Sequence, residues 1–257
     1  MENSKRQIGI CGLSDPVSLQ KQNEVVNWLN NLGLDVIVSQ YMDSKSTPNQ
    51  KAKELNAWFS ANAFSYIFDI SGGDQANLCL PYIDYEAYAQ CDTIFAGYSD
   101  LSTVCNALWH KAQKPTLLFQ IRNHEREKEV IDFLQQRSSA LTTLDLKISD
   151  VVVGGNLRCF LKLAGTPYLP DVSGCILFLE AYAGSKERIL SYLNQCAQMG
   201  LFHEAKAVIF GQFTQLDQEG NRDVLKDFSK QLKIPVFYTQ DIGHSKDSKA
   251  LWIGKKK

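Results

Sequence analysis

A regular alternation of short apolar segments with longer amphipathic ones limits this chain to few architectures. In its first half, stretches of strand length alternate with stretches in which apolar residues recur at helical spacing. The predicted strands are residues 7–11, 34–38, 66–70, 92–96 and 116–119, and the predicted helices are 19–32, 48–62 and 100–110. Strands separated by helices need right-handed crossovers, so the pattern predicts a largely parallel sheet covered on both faces. Sheets of this kind place their functional sites at the carboxyl ends of strands.

The alternation stops after residue 121 and resumes at residue 151. Residues 122–137 are densely charged and residues 138–150 are polar, which predicts a connector with a surface helix at 123–136. A second α/β unit begins at 151–156 and continues with strands at 175–179, 205–210 and 235–238 and helices at 157–163, 186–199 and 224–232. The sequence therefore predicts an N-terminal domain at 1–121, a connector at 122–150 and a smaller C-terminal α/β domain at 151–257.

The composition gives no reason to expect a nucleic-acid or membrane partner, or a secreted protein. The 257 residues are 44% hydrophobic and carry a formal net charge of -1, which gives no electrostatic reason to expect a nucleic acid or an anionic membrane as partner. No apolar run reaches the length of a membrane span, and the polar first seven residues do not resemble a signal peptide. The seven cysteines lack Cys-x-x-Cys spacing, which favours reduced thiols in a cytoplasmic protein.

Cofactor motifs are absent from the sequence. Gly9-Ile10-Cys11-Gly12 lacks the Gly-x-Gly-x-x-Gly fingerprint of dinucleotide sites. No pair of histidines or cysteines has the spacing of metal ligands. We therefore expect a protein that works without a metal or another cofactor.

Ser99 occupies the turn between the predicted strand 92–96 and the helix that follows. A hydroxyl there is held clear of the backbone, beside the free N–H groups of the first helical turn and the positive end of the helix dipole. A nucleophile elbow holds its serine in the same kind of strand-to-helix turn. In this chain, however, Leu101 replaces the second glycine of the Gly-x-Ser-x-Gly pattern. A serine that merely caps the helix is the alternative. The loop Ser71-Gly72-Gly73-Asp74 follows another strand and is expected at the same edge of the sheet.

A serine nucleophile needs a base, and the chain offers four histidines. His110 lies eleven residues along the helix from Ser99, on the order of 16 Å away, and is excluded by that distance. His124 lies in the connector and His203 in a surface-like loop. Neither position gives a reason to expect a catalytic role. His244 follows a strand and a glycine, in a position that resembles that of Ser99.

Glu180 is the best carboxylate to orient such a histidine. It is the first polar residue after the apolar stretch 175–179. A charge at the mouth of a buried strand costs free energy unless it is paired, although the side chain could also simply reach solvent. Asp241 is the second choice, because only three residues before His244 it is better placed to shape the turn.

Ordered motifs around these residues resemble the LD-carboxypeptidase family of serine peptidases, which includes muramoyl-tetrapeptide carboxypeptidases and microcin-immunity peptidases. The matching segments span nearly the whole chain. They are Gly72-Gly73, Leu80-Pro81-Tyr82-Ile83-Asp84-Tyr85, Gly97-Tyr98-Ser99-Asp100, Gly154-Gly155-Asn156-Leu157, Gly165-Thr166-Pro167-Tyr168, Ile176-Leu177-Phe178-Leu179-Glu180, Gly211-Gln212-Phe213 and Asp241-Ile242-Gly243-His244.

The resemblance implies a Ser-His-Glu triad in a cleft between a flavodoxin-like N-terminal domain and the C-terminal domain. Ser99 would be the nucleophile, His244 the general base and then acid, and Glu180 the group that orients the imidazole. The oxyanion hole would use the backbone N–H groups of Gly73 and Asp100.

This chain departs from the family in two places that border the substrate cleft. Ser71, beside Gly72 in the cleft loop, stands where many family members have arginine, and the connector is shorter than usual. The chemistry is therefore better supported than the identity of the substrate.

The leading hypothesis is a serine carboxypeptidase that cleaves an L,D-peptide bond, releasing the terminal D-alanine of murein tetrapeptides during cell-wall recycling. One alternative is a microcin-immunity-like amide hydrolase that acts on peptidyl or aminoacyl nucleotides. Another, from a different class, is a non-catalytic protein that binds a small ligand, with Ser99 as a contact at the helix terminus. The expected partner is a small peptide or muropeptide, and the family also suggests a homodimer.

Overall fold

The computed structural model describes residues 7–122, 126–146 and 149–255, and within them the strands form two sheets. The strands are β1 Gln7–Cys11, β2 Val36–Val38, β3 Phe64–Asp69, β4 Ile94–Gly97, β5 Thr116–Leu118, β6 Val152–Asn156, β7 Ile176–Ala181, β8 Ala207–Phe213, β9 Val236–Tyr238 and β10 Leu251–Ile253.

The described α-helices are α1 Leu19–Asn31, α2 Pro48–Ala61, α3 Tyr85–Gln90, α4 Ser102–Ala112, α5 Glu127–Leu134, α6 Leu157–Leu161, α7 Lys186–Gln198, α8 Leu201–Glu204, α9 Thr214–Gln218 and α10 Asp223–Ser229. Side-chain caps begin five of the described α-helices, namely α1, α2, α3, α6 and α7. Thr47 and Gln50 form a capping box at the start of α2, and left-handed Asn62 ends that helix. Among the described helices, none is both long and apolar enough to span a membrane.

The first sheet has the strand order β2-β1-β3-β4-β5-β10. Its first five strands in chain order are parallel, as predicted. The order reverses between β1 and β3, because the chain passes from β1 outward to β2 and then returns to the other side of β1. The loops after β1 and β3 therefore diverge and leave a crevice at their carboxyl ends, which is where α/β sheets bind ligands.

The second sheet has the order β6-β7-β8-β9, and all of its strands are parallel. Its central strands β7 and β8 are buried along their whole length. Strands that are buried along their whole length are typical of parallel sheets that are covered on both faces. Together with the first sheet, this arrangement confirms the predicted α/β class with mainly parallel strands.

The last strand returns to the first sheet. β10 pairs antiparallel with β5, with Leu251 opposite Leu118 and Ile253 opposite Thr116. The sequence pattern assigned these residues only to the C-terminal unit, since a three-residue strand is too short to show a periodicity. β10 covers the edge of β5, whose N–H and C=O groups would otherwise be unpaired.

Helix α4 joins the sheets by packing on β6. The Asn106 side chain donates to the Gly154 carbonyl at 2.7 Å and accepts from the Gly154 N–H at 2.8 Å. Ser102 Oγ accepts from the N–H of Asn156 at 2.9 Å. A Cβ atom at Gly155 would lie 2.4 Å from that Oγ, so only glycine permits this approach. The helix that follows Ser99 thus closes the free edge of the second sheet.

The connector covers the outer face of the first sheet. Val130 and Phe133 of α5, and Leu141 after it, pack in the same buried cluster as Ile8 and Phe68. The predicted helix at 123–136 is observed from Glu127 to Leu134, and its first residues lie outside the described ranges. Its charged residues form the outer side of an amphipathic helix.

Candidate active site

Ser99 follows β4 at the carboxyl edge of the first sheet. It begins a 3-10 turn, Ser99–Leu101, that runs directly into α4. Its φ angle of 58° is left-handed, a conformation that costs a non-glycine residue about 1 to 2 kcal/mol. The strained turn places Ser99 in the wall of a cavity of about 670 Å³. A serine that only capped the helix would not need this backbone conformation.

Glu180 is completely buried near the end of β7. Its Oε2 lies 2.8 Å from Nδ1 of His244, and its Oε1 accepts from the side-chain amide of Asn156 at 3.0 Å. The strand continues through Glu180 to Ala181, so this carboxylate faces the interior and does not reach solvent. Both oxygens are hydrogen-bonded, as a buried carboxylate requires.

His244 lies in the segment between β9 and β10, and its side chain is 12% exposed. Because Nδ1 faces Glu180, Nε2 is the ring nitrogen available to a nucleophile. The rings of Tyr98 and Tyr182 contact the imidazole, with centroids 5.1 and 4.9 Å away. The pKa of Tyr98 is raised well above its ordinary value by burial and by the nearby Glu180 carboxylate.

Gln212 of β8 fixes the backbone around His244, a role that the sequence reasoning missed. Its amide donates to the Gln240 carbonyl and to Ser245 Oγ, both at 2.7 Å, and its oxygen accepts from the Ser245 N–H at 3.0 Å. A Cβ atom at Gly243 would lie 2.2 Å from the Gln212 side chain. The only signal in the sequence was the motif Gly211-Gln212-Phe213, which carried no assigned role.

Ser99 and His244 line the same cavity together with Ser71, Gly72 and Gly73. Within the described ranges, no hydrogen bond joins the Ser99 hydroxyl to the imidazole. Catalytic hydrogen bonds are often long in unliganded enzymes and shorten when substrate binds. The predicted residues are therefore brought to one cavity, with the Glu180–His244 contact already formed.

The glycine loop lines the same cavity as the histidine. Gly73 has a φ angle of +117°, and a Cβ atom there would lie 2.0 Å from the Asp15 carboxylate. The Gly72 carbonyl accepts from the Asp15 N–H at 3.1 Å. Ser71 is tied to Asp69, whose Oδ1 accepts from the Ser71 hydroxyl at 2.5 Å and from its N–H at 2.8 Å. The loop is therefore held in place before any ligand binds.

The Asp100 side chain is a buried anchor. Its Oδ2 accepts from Ser14 Oγ at 2.7 Å and from the Ala76 N–H at 2.8 Å, and its Oδ1 accepts from Lys162 Nζ at 2.6 Å. These bonds connect the turn after Ser99 to the loops that follow β1 and β3. The Asp100 side chain is fully buried and is not among the residues that line the cavity.

Two cations at α6 hold the glycine loop from the side of the second sheet. Arg158 Nη2 donates to the Gly73 carbonyl at 3.2 Å, and Nη1 pairs with Asp74. Lys162 pairs with Asp74 at 3.0 Å as well as with Asp100. The sequence reasoning missed both residues, since nothing local marks a contact across more than 60 residues of chain.

Arg122 is a further residue that the sequence reasoning missed. It lines the cavity with Ser99 and lies at the start of the predicted connector. With its side-chain oxygen facing the guanidinium, Gln120 accepts from Arg122 Nε at 2.8 Å and also from Nη2.

The other histidines lie elsewhere or outside the described residues. His110 lies in the last turn of α4, and the His203 side chain is 88% exposed beside Glu204. His124 lies outside the described residues. In the ranges that the structure describes, no group of three His, Cys, Asp or Glu side chains is placed to hold a metal ion.

Comparison with known families identifies both parts of the chain. The family model of the LD-carboxypeptidase N-terminal domain matches residues 8–118, and that of the LD-carboxypeptidase C-terminal domain matches residues 150–257. These ranges contain Ser99 in the first match and Glu180 and His244 in the second.

Relatives and solved structures extend the match over nearly the full chain. A Bacillus subtilis protein named "Probable murein peptide carboxypeptidase" is 23% identical over 99% of this chain and 88% of its own. The microcin C7 self-immunity protein MccF of Escherichia coli is 23% identical over 97% of this chain and 89% of its own.

Two solved structures show the same fold. The unliganded wild-type MccF structure superposes with a TM-score of 0.84 at 19% identity, covering 99% of this chain and 93% of that chain. A muramoyltetrapeptide carboxypeptidase from Oxalobacter formigenes superposes with a TM-score of 0.81 at 21% identity, covering 96% and 92%. The predicted family is confirmed: the chain belongs to the LD-carboxypeptidase family.

Proposed function

We propose that this chain is a serine-type LD-carboxypeptidase with Ser99 as nucleophile, His244 as general base and acid, and Glu180 as the group that orients the imidazole. The observation that carries the proposal is the 2.8 Å contact between buried Glu180 and His244, made at the wall of the cavity that Ser99 also lines. A carboxylate in this position fixes the ring and stabilises the imidazolium that forms during acyl transfer.

The proposed reaction has two halves. Ser99 Oγ attacks the scissile carbonyl carbon while its proton passes to Nε2 of His244, and the oxyanion accepts hydrogen bonds from the N–H groups of Gly73 and Asp100. His244 then gives the proton to the departing amine, and the C–N bond breaks to leave an acyl-serine. Water, deprotonated by His244, attacks this ester and releases the shortened peptide, and the proton returns to Ser99.

The surrounding contacts support the proposed oxyanion hole. The Asp100 N–H belongs to the first turn after β4, where amides have no partner within the helix. The Gly73 amide lies in a loop fixed by Asp15 and Arg158. Donors that are already in place contribute about 3 kcal/mol each in the transition state, because they need no reorganisation.

The substrate we propose is a murein tetrapeptide, from which the enzyme releases the terminal D-alanine. Family membership and the names of the Bacillus and Oxalobacter proteins support this choice. The seven cysteines, all within the described part of the chain, are free thiols, which supports the proposal of a cytoplasmic enzyme acting in cell-wall recycling. The homodimer that the family suggests stays a prediction, to be checked by analytical ultracentrifugation.

Product analysis tests the proposal. Purified protein incubated with a muramoyl tetrapeptide should yield tripeptide and D-alanine, detected by mass spectrometry. Ser99→Ala should lower kcat by at least about 1,000-fold, because the nucleophile is lost. Ser191→Ala on the exposed face of α7 is the matched control and should keep full activity. Equal release by the wild type and Ser99→Ala would contradict the proposal.

A second candidate function is hydrolysis of an aminoacyl or peptidyl nucleotide. It is favoured by the similarity to MccF, of which solved structures contain glutamyl sulfamoyl guanosine and aspartyl sulfamoyl adenosine. Incubation with these two compounds and with the tetrapeptide, followed by chromatography, separates the candidates. Cleavage of a nucleotide conjugate alone would favour this reading. A thermal shift with muropeptide and no turnover of any compound would instead indicate a binding protein.

A further inference from the structure

The cavity around Ser99 contains a guanidinium that the proposed chemistry does not use. Arg122 is partly buried in the loop that follows β5, and Gln120 holds it through Nε and Nη2. Burial lowers the pKa of Arg122, while the Asp69 carboxylate acts in the opposite direction. Within the described residues, no carboxylate lies within ion-pair distance of the guanidinium. A partly buried cation without an ion-pair partner is suited to bind an anionic ligand.

Lys21 is the basic side chain in the lining besides Arg122 and His244, and it is a weaker candidate for binding an anion. Its Nζ already pairs with Glu24 at 3.3 Å, and its side chain is 41% exposed. An exposed lysine pair is screened by water, whereas a half-buried guanidinium offers a rigid fork that matches a carboxylate. Of these two cations, Arg122 is therefore the better candidate to bind an anion in this cavity.

The position of Arg122 relative to the glycine loop indicates which anion it meets. Its Nη2 lies 3.9 Å from the point where a Cβ atom on Gly72 would stand. Gly72 precedes Gly73, whose N–H is a proposed oxyanion donor. The terminal carboxylate of a carboxypeptidase substrate lies one residue beyond the scissile carbonyl, and one extended residue spans about 3.3 to 3.6 Å. A cation next to the oxyanion loop is therefore within reach of that carboxylate.

We propose that Arg122 binds the free C-terminal carboxylate of the substrate and thereby restricts cleavage to the last peptide bond. This inference rests on the proposed peptidase function. Arg122 touches the leaving residue and takes no part in proton transfer, so it determines specificity. Peptides that end in an amide, or that extend further, lack an anion at this position and are poor substrates.

A pair of matched peptides tests the inference. One tetrapeptide ends in D-alanine with a free carboxylate, and the other ends in D-alaninamide. The wild type should cleave the acid with a kcat/KM at least about 10-fold above that of the amide, because a charge-assisted bidentate contact is lost in the amide. Arg122→Gln should remove this preference by raising KM for the acid, with the amide unchanged. Arg122→Lys should retain part of the preference for the acid, because lysine keeps the positive charge but lacks the bidentate guanidinium geometry.

Lys21→Gln is the matched control for charge in the cavity and should keep the acid-to-amide ratio of the wild type. Calorimetry on Ser99→Ala with the two peptides gives a readout that does not depend on how the Arg122 variants fold, and only the acid should bind tightly. A wild type that cleaves both peptides equally, an Arg122→Gln variant that keeps the preference, or equal binding by Ser99→Ala would overturn the role of Arg122. A wild type that cleaves neither peptide would instead overturn the proposed peptidase function.

Discussion

The backbone at Ser99 stores strain where the proposed chemistry occurs. A left-handed serine is held between β4 and α4 because the turn must pass directly from strand to helix. The same turn is fixed through its neighbour Asp100, which is bonded to three other segments. Residues in sparsely populated conformations persist only where the surroundings enforce them, and they are found often at active sites. The hydroxyl is thus positioned at some cost to stability.

Glycine at position 99 should stabilise the fold relative to alanine. Ser99→Gly relieves the left-handed strain, whereas Ser99→Ala keeps it, so we expect the glycine variant to be more stable by about 1 kcal/mol. Urea unfolding of the two inactive proteins measures the difference. Ser191 on the exposed face of α7 is the control, where glycine should be less stable than alanine by about the same amount. Equal stabilities at position 99 would show that the turn is not strained.

At the residue scale, the sequence was informative where a polar side chain ends an apolar strand. Ser99, Glu180 and His244 were identified in this way. The structure places Ser99 and His244 in the wall of one cavity and bonds the buried Glu180 to His244. Arg158, Lys162 and Gln212 were missed because their partners are distant in sequence and their own neighbourhoods are ordinary helix or strand. Periodicity reveals which face a residue occupies and says nothing about which residue it meets there.

At the element scale, α4 performs two tasks. Its start positions Ser99, and its middle closes the edge of the second sheet through Asn106. An asparagine amide offers one donor and one acceptor, which match the N–H and C=O of Gly154. Sequence periodicity predicted the helix, but an asparagine on a buried face could not be assigned to a partner strand that begins 40 residues after the helix ends.

Replacing Asn106 by leucine should destabilise the protein strongly. The substitution leaves the buried N–H and C=O of Gly154 without partners, at a cost of about 3 kcal/mol in the free energy of unfolding. Urea titration followed by circular dichroism measures it. Asn194→Leu on exposed α7, where the amide bonds only its own helix, should change stability by less than about 0.5 kcal/mol. Similar losses for both variants would show that the contact with β6 contributes nothing specific.

At the scale of the whole molecule, the cavity depends on both sheets. Ser99, Gly72 and Arg122 belong to loops of the first sheet, whereas Tyr182 directly follows β7 of the second. His244 lies on the segment that runs from β9 of the second sheet to β10 of the first. The sequence predicted both α/β units, but it did not reveal β10, whose three residues have no recognisable pattern. The segment that bears the histidine is therefore anchored at both ends.

Removing residues 251–257 should impair both stability and activity. The truncation exposes the edge of β5, removes the buried side chains of Leu251 and Ile253, and frees one end of the His244 segment. Burial of two such side chains contributes about 3 to 6 kcal/mol. We expect a lower urea midpoint, increased light scattering and loss of tetrapeptide cleavage. Removal of residues 255–257 alone is the control, and an effect as large as that of the longer truncation would argue against a role for β10.

The return of β10 to the first sheet also bears on how the protein is made. During synthesis, β5 (residues 116–118) leaves the ribosome long before β10 (residues 251–253), the strand that pairs with its edge. Until β10 emerges, the nascent sheet presents an open edge, the kind of surface on which chains associate wrongly. We therefore expect the first sheet to complete its folding only after β10 has emerged, and to rely on chaperones until then.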